Sequence, residues 1–349
     1  MTDIVRHLDS DHISHKLPVF GTEDFLGAKS PEYGWFISEE FALPFIVDTK
    51  LGFKRLVFTT ETIRLHEDAS PERERSFLDE VVETCQSKTH MRLDFIATPQ
   101  ANSVFREIPS RSESVEWCSF TVDLTLPDTK IFESFHPHHR RAIRYASNGG
   151  VVVSTTSDID VIYKTLRETM ARQRLLFFPS KTYLSALQHR LKDNLRLYTA
   201  VHDSKVQGAA VIVYNHLGAF YYYGGSVERP YRGSMNLMHY DIMKDLKRMN
   251  IPVYDFMGAR IVTGGDPKIE GIQTFKSRFA TGMRRGHTFR YIINPLRHRM
   301  FVLAVKGYFA LKGCRYNGDF IDQARHNPGE SIADIPALPV NSSATPPGC

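Results

Sequence analysis

The chain has 349 residues, a net charge of +5 and 24% charged residues, a composition of soluble globular proteins that excludes disordered and fibrous classes. Its cysteines, Cys85, Cys118, Cys314 and Cys349, stand at no paired spacing and lack histidines at zinc-site distances, which argues against a disulfide framework and for a reducing, cytoplasmic setting. No stretch reaches the roughly 18 apolar residues of a spanning helix and the N-terminus has no apolar core, so neither a standard secretion signal nor a membrane span is expected.

In chain order, residues 1–16 read as a flexible lead. WFISEEF, ALPFIVD, KRLVFTT, MRLDFIAT and WCSFTVDL then read as short strands by alternation and β-branched or aromatic content. Between them PERERSFLDEVVETCQSK carries an early proline and helically spaced Phe77, Leu78, Val81 and Val82. A second unit opens near Phe132 with a basic helix, FHPHHRRAIRYASN, a glycine stop and a strand. Asp158 caps a helix with Ile159, Ile162, Tyr163, Leu166 and Met170 on one face, and SKTYLSALQHRLKD is a further helix. LRLYTAVHD, KVQGAAVIVYN and AFYYYGGS form an antiparallel meander, followed by the helix MNLMHYDIMKDLKRMN and the strand VYDFMGA. The Pro/Ser-rich end from 327 to 349 is expected to be a disordered tail. The layout is α+β, with subdomains at 17–131 and 132–326, each a mixed, mostly antiparallel sheet flanked by helices.

Several clusters suit chemistry. Arg229, Arg232, Gly233, Ser234 and Asn236 lie between a strand and a helix, where free backbone amides and two arginines suit a pyrophosphate; equally, Ser234 caps the helix and the arginines are solvated. Asp255, inside an aromatic strand, is either a partner for Arg260 or Lys276 or a carboxylate with a raised pKa. In FKSRF, an extended backbone would send Phe275 and Phe279 to one side and Lys276 and Arg278 to the other, where cations stabilise a developing oxyanion. His136, His138 and His139 lack carboxylates at metal-site spacing and adjoin arginines, so no metal is expected. From Gly271 to Gly318 there are ten Lys or Arg and no Asp or Glu, which points to an anionic partner. Within it MFVLAVKGYFALK is either a packing helix or an amphipathic one on an anionic membrane surface. No P-loop, GxGxxG after a strand or GxSxG elbow is present, which argues against P-loop hydrolysis, hydride transfer and serine hydrolase chemistry.

HRRAIRYASNGGV, YYYGGS, VYDFMGA and TFKSRFATG, in that order, resemble landmarks of the FemABX-like peptidyltransferases and the wider GNAT superfamily of N-acyltransferases. The resemblance covers about Phe132 to Asn294 and implies two GNAT-like subdomains around a cleft. It implies transfer of an acyl or aminoacyl group from acyl-CoA or aminoacyl-tRNA, without a tightly bound cofactor, to a primary amine. The acceptor in such enzymes is a cell-wall precursor or a nucleotide-linked amino sugar. Lys276 matches the family's FK lysine and Asp255 its strand aspartate, a base or the group that orients one. Arg278 is assigned to anion contacts, Arg229, Arg232, Gly233, Ser234 and Asn236 to donor phosphates, and Tyr222, Tyr223 and Tyr254 to the substrate cleft. Met235 replaces the usual second small residue of the pyrophosphate loop. The family's long helical hairpin is missing from the sequence. Expected partners are a nucleotide-linked or lipid-linked envelope precursor and tRNA, with a peripheral membrane contact through 297–315. The rival readings are a nucleic-acid-binding protein using residues 271–318, with Phe275, Phe279, Phe289 and Tyr291 as stacking rings, and a membrane-surface scaffold with a decayed site.

Overall fold

The computed structural model describes residues 3–6, 11–87, 91–173, 178–261, 267–314 and 316–326; the expected tail at 327–349 lies outside them. In the first half, β1 (Asp3–Val5), α1 (Asp11–Ser14), α2 (Glu23–Lys29), β2 (Glu32–Ile37), β3 (Phe41–Lys50), β4 (Phe53–Phe58), β5 (Ile63–Arg64), α3 (Pro71–Ser87), β6 (Phe95–Ile96) and β7 (Glu113–Asp123) follow one another. The second half runs through α4 (Asp128–Ser134), α5 (Pro137–Asn148), β8 (Val152–Thr156), α6 (Ile159–Arg172), α7 (Lys181–Leu191), β9 (Leu195–His202), β10 (Lys205–Asn215), β11 (Gly218–Ser226) and α8 (Ser234–Arg248). It ends with β12 (Val253–Arg260), α9 (Pro267–Ser277), β13 (Gly282–Ile292), α10 (Pro295–Leu311) and α11 (Phe320–His326).

Local chemistry explains many of the boundaries. Thr22, Asp158, Ser180 and Asn294 each accept an amide of the first turn of α2, α6, α7 and α10, as capping residues do. Gly233 precedes α8 with φ +81, and a Cβ there would lie 2.1 Å from the Ala142 carbonyl of α5. Only glycine therefore fits both the left-handed turn and the close approach of the two helices.

The strands join into a mixed, mostly antiparallel sheet in the order β1-β2-β3-β4-β6-β13-β7-β12-β11-β10-β9-β8, with β5 on β3. The meander β9–β10–β11 is present as its alternation predicts. Parallel pairing occurs between β4 and β6 and between β11 and β12. β13 is the seam: Gly282–Arg290 pairs with β7, while Tyr291 and Ile292 pair with β6. A separate apolar core also joins the halves, with Phe20, Phe25, Trp35 and Ile46 of the first half against Ile162, Leu166, Leu187 and Tyr222 of the second.

Three expectations change. Three residues of the supposed flexible lead form β1, paired with Trp35, Phe36 and Ile37, because Ile4 packs on the first-half core. FKSRF is not extended: Phe275, Lys276 and Ser277 end α9, since Phe275 and Phe279, four apart, suit one helical face as well as they suit alternation. α10 packs on the first half, Phe301 lying 5.6 Å from Phe53 and 5.0 Å from Phe95, so the 132–326 unit reaches back across the seam. At its end α11 is held by Arg290, which is bonded to Glu113 at 2.6 Å, Asp319 at 3.0 Å and Asp322 at 2.5 Å.

Gly233→Ala is expected to lower stability by about 2 kcal/mol or more, from a strained φ and a backbone clash together, read as a lower urea midpoint with an unchanged slope.

Candidate active site

The site is built around an irregularity in β12. Its register with β7 shifts between Asp255 and Gly258, and Met257 there has φ +58, a left-handed conformation that costs a side-chain-bearing residue roughly 1 kcal/mol or more. Asp255 holds the bulge, its Oδ1 accepting the Met257 amide at 2.6 Å and the Ser119 hydroxyl of β7. The carboxylate is buried. Desolvation raises its pKa, against the Arg284 guanidinium, the Ser119 hydroxyl and the Met257 amide, which favour the charged form.

The bulge aims two carbonyls at Lys276. Its Nζ donates to Met257 O at 2.9 Å and Gly258 O at 3.0 Å. An ammonium has three N–H groups, and these two carbonyls use two of them. Burial lowers the Lys276 pKa to about 8, while Asp255 and then Cys118 pull it upward; the side chain is charged at neutral pH. Cys118, whose thiol donates to Ala259 O at 3.4 Å, is pushed up to about 11 by burial and stays a thiol, unsuited to nucleophilic attack.

β11 and β12 pair only at Ala219–Tyr254 and Phe220–Asp255, although β11 continues to Ser226 and β12 to Arg260. Beyond Asp255 the ladder ends and a fork opens. His239 of α8 lies under it, 4.6 Å from the Tyr221 ring and 5.0 Å from Phe256, the first residues past the paired stretch. Its Nδ1 is 2.9 Å from Tyr254 Oη, whereas the buried Nε2 has no partner among the described residues. Burial lowers its pKa to about 3, so the ring is neutral. His239 shares the buried face of α8 with Met238, Ile242 and Leu246, and a histidine on that apolar stripe was the signal available in the sequence.

At the start of α8 the expected phosphate residues separate into two groups. Arg229 and Arg232 are exposed, with the Arg232 guanidinium 5.1 Å from the Tyr145 ring. No side chain caps the helix after Gly233; the Ser234 amide is taken by Tyr231 O at 3.0 Å, which leaves the Met235 and Asn236 amides as the first-turn donors that suit an anion. Ser234 is buried and its hydroxyl donates to Tyr231 O at 2.8 Å, a turn contact that removes it from the phosphate set. Asn236 Nδ2 lies 3.0 Å from His139 Nδ1, and His139 Nε2 lies 2.9 Å from Phe275 O. An amide donor on one side and a carbonyl on the other select the neutral Nε2–H tautomer, and burial lowers the His139 pKa to about 4. Met235, which stands where the loop's second small residue is usual, packs against the second-half core beside Gly208. Arg278 lies near His136 and His139, two positions along the backbone from Lys276 and therefore on another side of the helix end.

Tyr254 is fully buried and belongs to the core, a correction to its place in the cleft. Tyr222 is buried with its hydroxyl 2.7 Å from that of Tyr183, and the Tyr223 ring lies tilted beside it at 4.3 Å. These rings adjoin Lys29 of α2, a residue the sequence did not flag. Lys29 Nζ lies 5.7 Å from the Tyr222 ring and 5.9 Å from Tyr183, and burial lowers its pKa to about 8. From it a polar chain crosses the seam: Lys29 to Gln100 at 2.6 Å, Gln100 to Asn102 at 2.7 Å, Arg284 to Asn102 O at 3.3 Å, Arg284 to Glu61 at 3.0 Å and Arg284 to Asp255 at 4.0 Å. Glu61 and Arg284 come from different halves, which is why no local pattern reveals them.

Residues 134–276 match the family model described as an acetyltransferase (GNAT) domain. No curated protein matches the sequence. Among solved structures, FemX is similar over 85% of this chain and 99% of its own, at 12% identity and a TM-score of 0.61. A conserved protein of unknown function from Bacteroides thetaiotaomicron is similar over 84% of this chain and 100% of its own, at 11% identity and a TM-score of 0.52. The C-terminal domain of a putative lysylphosphatidylglycerol synthetase from Agrobacterium fabrum covers 84% and 93%, at 12% identity and 0.49.

Asp255→Ala leaves a buried amide and hydroxyl without their acceptor and is expected to destabilise the fold by about 2–3 kcal/mol. Asp255→Asn keeps an acceptor oxygen and is expected to recover most of that loss, measured by chemical denaturation of both variants.

Proposed function

We propose that this chain, which has a FemABX-like GNAT fold, is an N-acyltransferase that moves an acyl or aminoacyl group from an activated carrier to a primary amine. The acceptor is a nucleotide-linked or lipid-linked cell-envelope precursor, a glycan amino sugar or a peptidoglycan peptide. One observation carries the reading. The β11–β12 ladder ends at Asp255, and the charged Nζ of Lys276 sits two to three residues further on, held by Met257 and Gly258.

The donor carbonyl enters the fork with its carrier toward α8, where the uncapped first turn and the exposed Arg229 and Arg232 suit phosphates. The acceptor amine attacks the carbonyl carbon, and the free N–H of Lys276 stabilises the oxyanion. Collapse breaks the bond to the carrier, and the amine's proton leaves with the departing thiol or hydroxyl. Asp255 acts as a positioning residue: its oxygens are turned to Ser119, Met257 and Arg284, and it aims Lys276 through the bulge. Lys29, with Tyr183 and Tyr222, forms the cationic and aromatic wall on the acceptor side. Thioesters and aminoacyl esters already react with amines, so orientation supplies much of the acceleration.

An acyl-CoA-type thioester is the favoured donor. Aminoacyl-tRNA is the second reading, weakened because Arg284, Arg290 and Arg297 of the basic stretch are paired with carboxylates. The nucleic-acid-binding rival loses its stacking platform, since Phe279 and Phe289 are wholly buried and Phe275 packs on the core.

The test is mass spectrometry of the purified protein with amino-sugar nucleotides and muropeptide precursors, each with acyl-CoA or charged tRNA; no mass gain with any pair overturns the reading. Once a pair is found, Lys276→Met is expected to lower kcat roughly 10²–10³-fold with donor affinity little changed. The wild-type rate is expected to fall as pH rises through about 8, where Lys276 loses its proton, and Lys276→Arg to remove that falling limb. Deprotonation of the acceptor amine adds a rising limb in wild type and variant alike, so a rising limb that Lys276→Arg abolishes would make Lys276 a base.

A further inference from the structure

α10 is apolar on two opposite sides. Its inner side carries the buried Phe301 and Val305, packed with Phe53 and Phe95 of the first-half sheet. Arg297 anchors its first turn, bonded to Asp94 at 2.8 Å and placed 4.7 Å from the Phe53 ring. The helix therefore needs no further cover to stay in place.

Its outer side is unusual. Leu296 is 69% exposed, Met300 47%, Leu303 67% and Leu311 88%, at steps of four, three and eight residues that fall on one stripe of an α-helix. Gly307 fills the remaining position of that stripe and is exposed as well. Scattered exposed apolar side chains need no explanation, whereas three leucines and a methionine in line on one helix mark a contact surface. Arg299 and Lys306, seven apart and exposed, flank the stripe on one side, and Lys312 is exposed at its end. No acid occurs anywhere from Gly271 to Gly318. A protein partner for an apolar stripe does not demand cations without acids beside it; an anionic lipid surface does, because apolar side chains enter the acyl boundary while cations meet headgroup phosphates. No helix among the described residues is long and apolar enough to span a bilayer, so the contact is one of a helix lying on the surface.

We propose that the outer face of α10 docks the protein on an anionic membrane surface through Leu296, Met300, Leu303 and Leu311, with Arg299 and Lys306 on the headgroups. The inference is independent of the acyl-transfer reading, since none of these residues belongs to the site.

The test is co-sedimentation of the full chain with vesicles of phosphatidylcholine alone and of phosphatidylcholine containing a quarter phosphatidylglycerol. Binding is expected to the anionic vesicles and to weaken with added salt. Each cation near such a surface contributes about 1 kcal/mol, or roughly five-fold in partition, so the double variant Arg299→Gln, Lys306→Gln should bind roughly 25-fold more weakly. Met300→Glu with Leu303→Glu should abolish binding. These side chains are exposed, and circular dichroism and thermal melting of each variant confirm that it is folded. Three results overturn the proposal: no binding to anionic vesicles, equal binding to both compositions, or wild-type binding by the Met300→Glu, Leu303→Glu variant. A concentration-dependent dimer in sedimentation velocity, dispersed by that same variant in the absence of lipid, would assign the face to a second copy instead.

Discussion

The hydrogen bond from the Met257 amide to the Asp255 carboxylate, 2.6 Å long, is the constraint on which the site depends. Without it the chain would have no reason to hold Met257 in a left-handed conformation, because a regular strand is less strained and keeps its ladder. With it, β12 bulges against β7, and two successive carbonyls turn out of the sheet toward α9. Lys276 is then fixed by the backbone of the strand that borders the fork. The aspartate is itself kept in place by Ser119 from β7 and by the Arg284 charge. A single buried carboxylate thus ties together β7, β12 and β13.

That dependence explains why the two halves cannot be treated as separate bodies joined by a linker. Arg284 and Arg290 lie on the strand that pairs with both sheets, and each takes carboxylates from elsewhere, Arg284 from Glu61 and Arg290 from Glu113, Asp319 and Asp322. A buried or partly buried arginine with hydrogen-bonded carboxylates is costly to break and specific in geometry. The relative position of Lys29 and Lys276, on opposite sides of the seam, follows from these pairs and from the shared apolar core beneath them.

Much of this was legible in the sequence where structure is local. The meander, the capped helices, the glycine before α8 and the strand carrying Asp255 all follow from periodicity and turn chemistry. Lys276 was identified through resemblance and Asp255 through its apolar surroundings. What escaped was non-local. Lys29 ends an ordinary short helix, and only the fold brings Tyr183 and Tyr222 to it. FKSRF satisfied two periods at once, and the longer helical context decided between them. Ser234 and Tyr254 looked like ligand contacts because serine and tyrosine have polar tips, but each tip found a partner inside the protein.

The acid-free stretch shows most clearly how charge in sequence differs from charge in space. Its Arg284, Arg290 and Arg297 are neutralised by acids from distant segments, and Lys276 is taken up by backbone carbonyls. Arg299 and Lys306 are the cations left beside the exposed stripe of α10. Part of the same composition is therefore consumed inside the protein, while Arg299 and Lys306 stay on the surface of one helix. For Lys276 the division has a chemical consequence. Burial lowers its pKa to about 8 because losing water disfavours the ammonium, and the nearby Asp255 charge opposes that loss. Loss of water also strengthens any contact the remaining N–H makes, since a low dielectric magnifies attraction to an oxyanion. A solvated lysine would keep its charge to higher pH but stabilise an oxyanion less, and one without Asp255 nearby would lose its proton at lower pH. Lys276, partly buried beside a buried aspartate, lies between these limits, charged at neutral pH and largely withdrawn from water, as the proposed oxyanion contact requires.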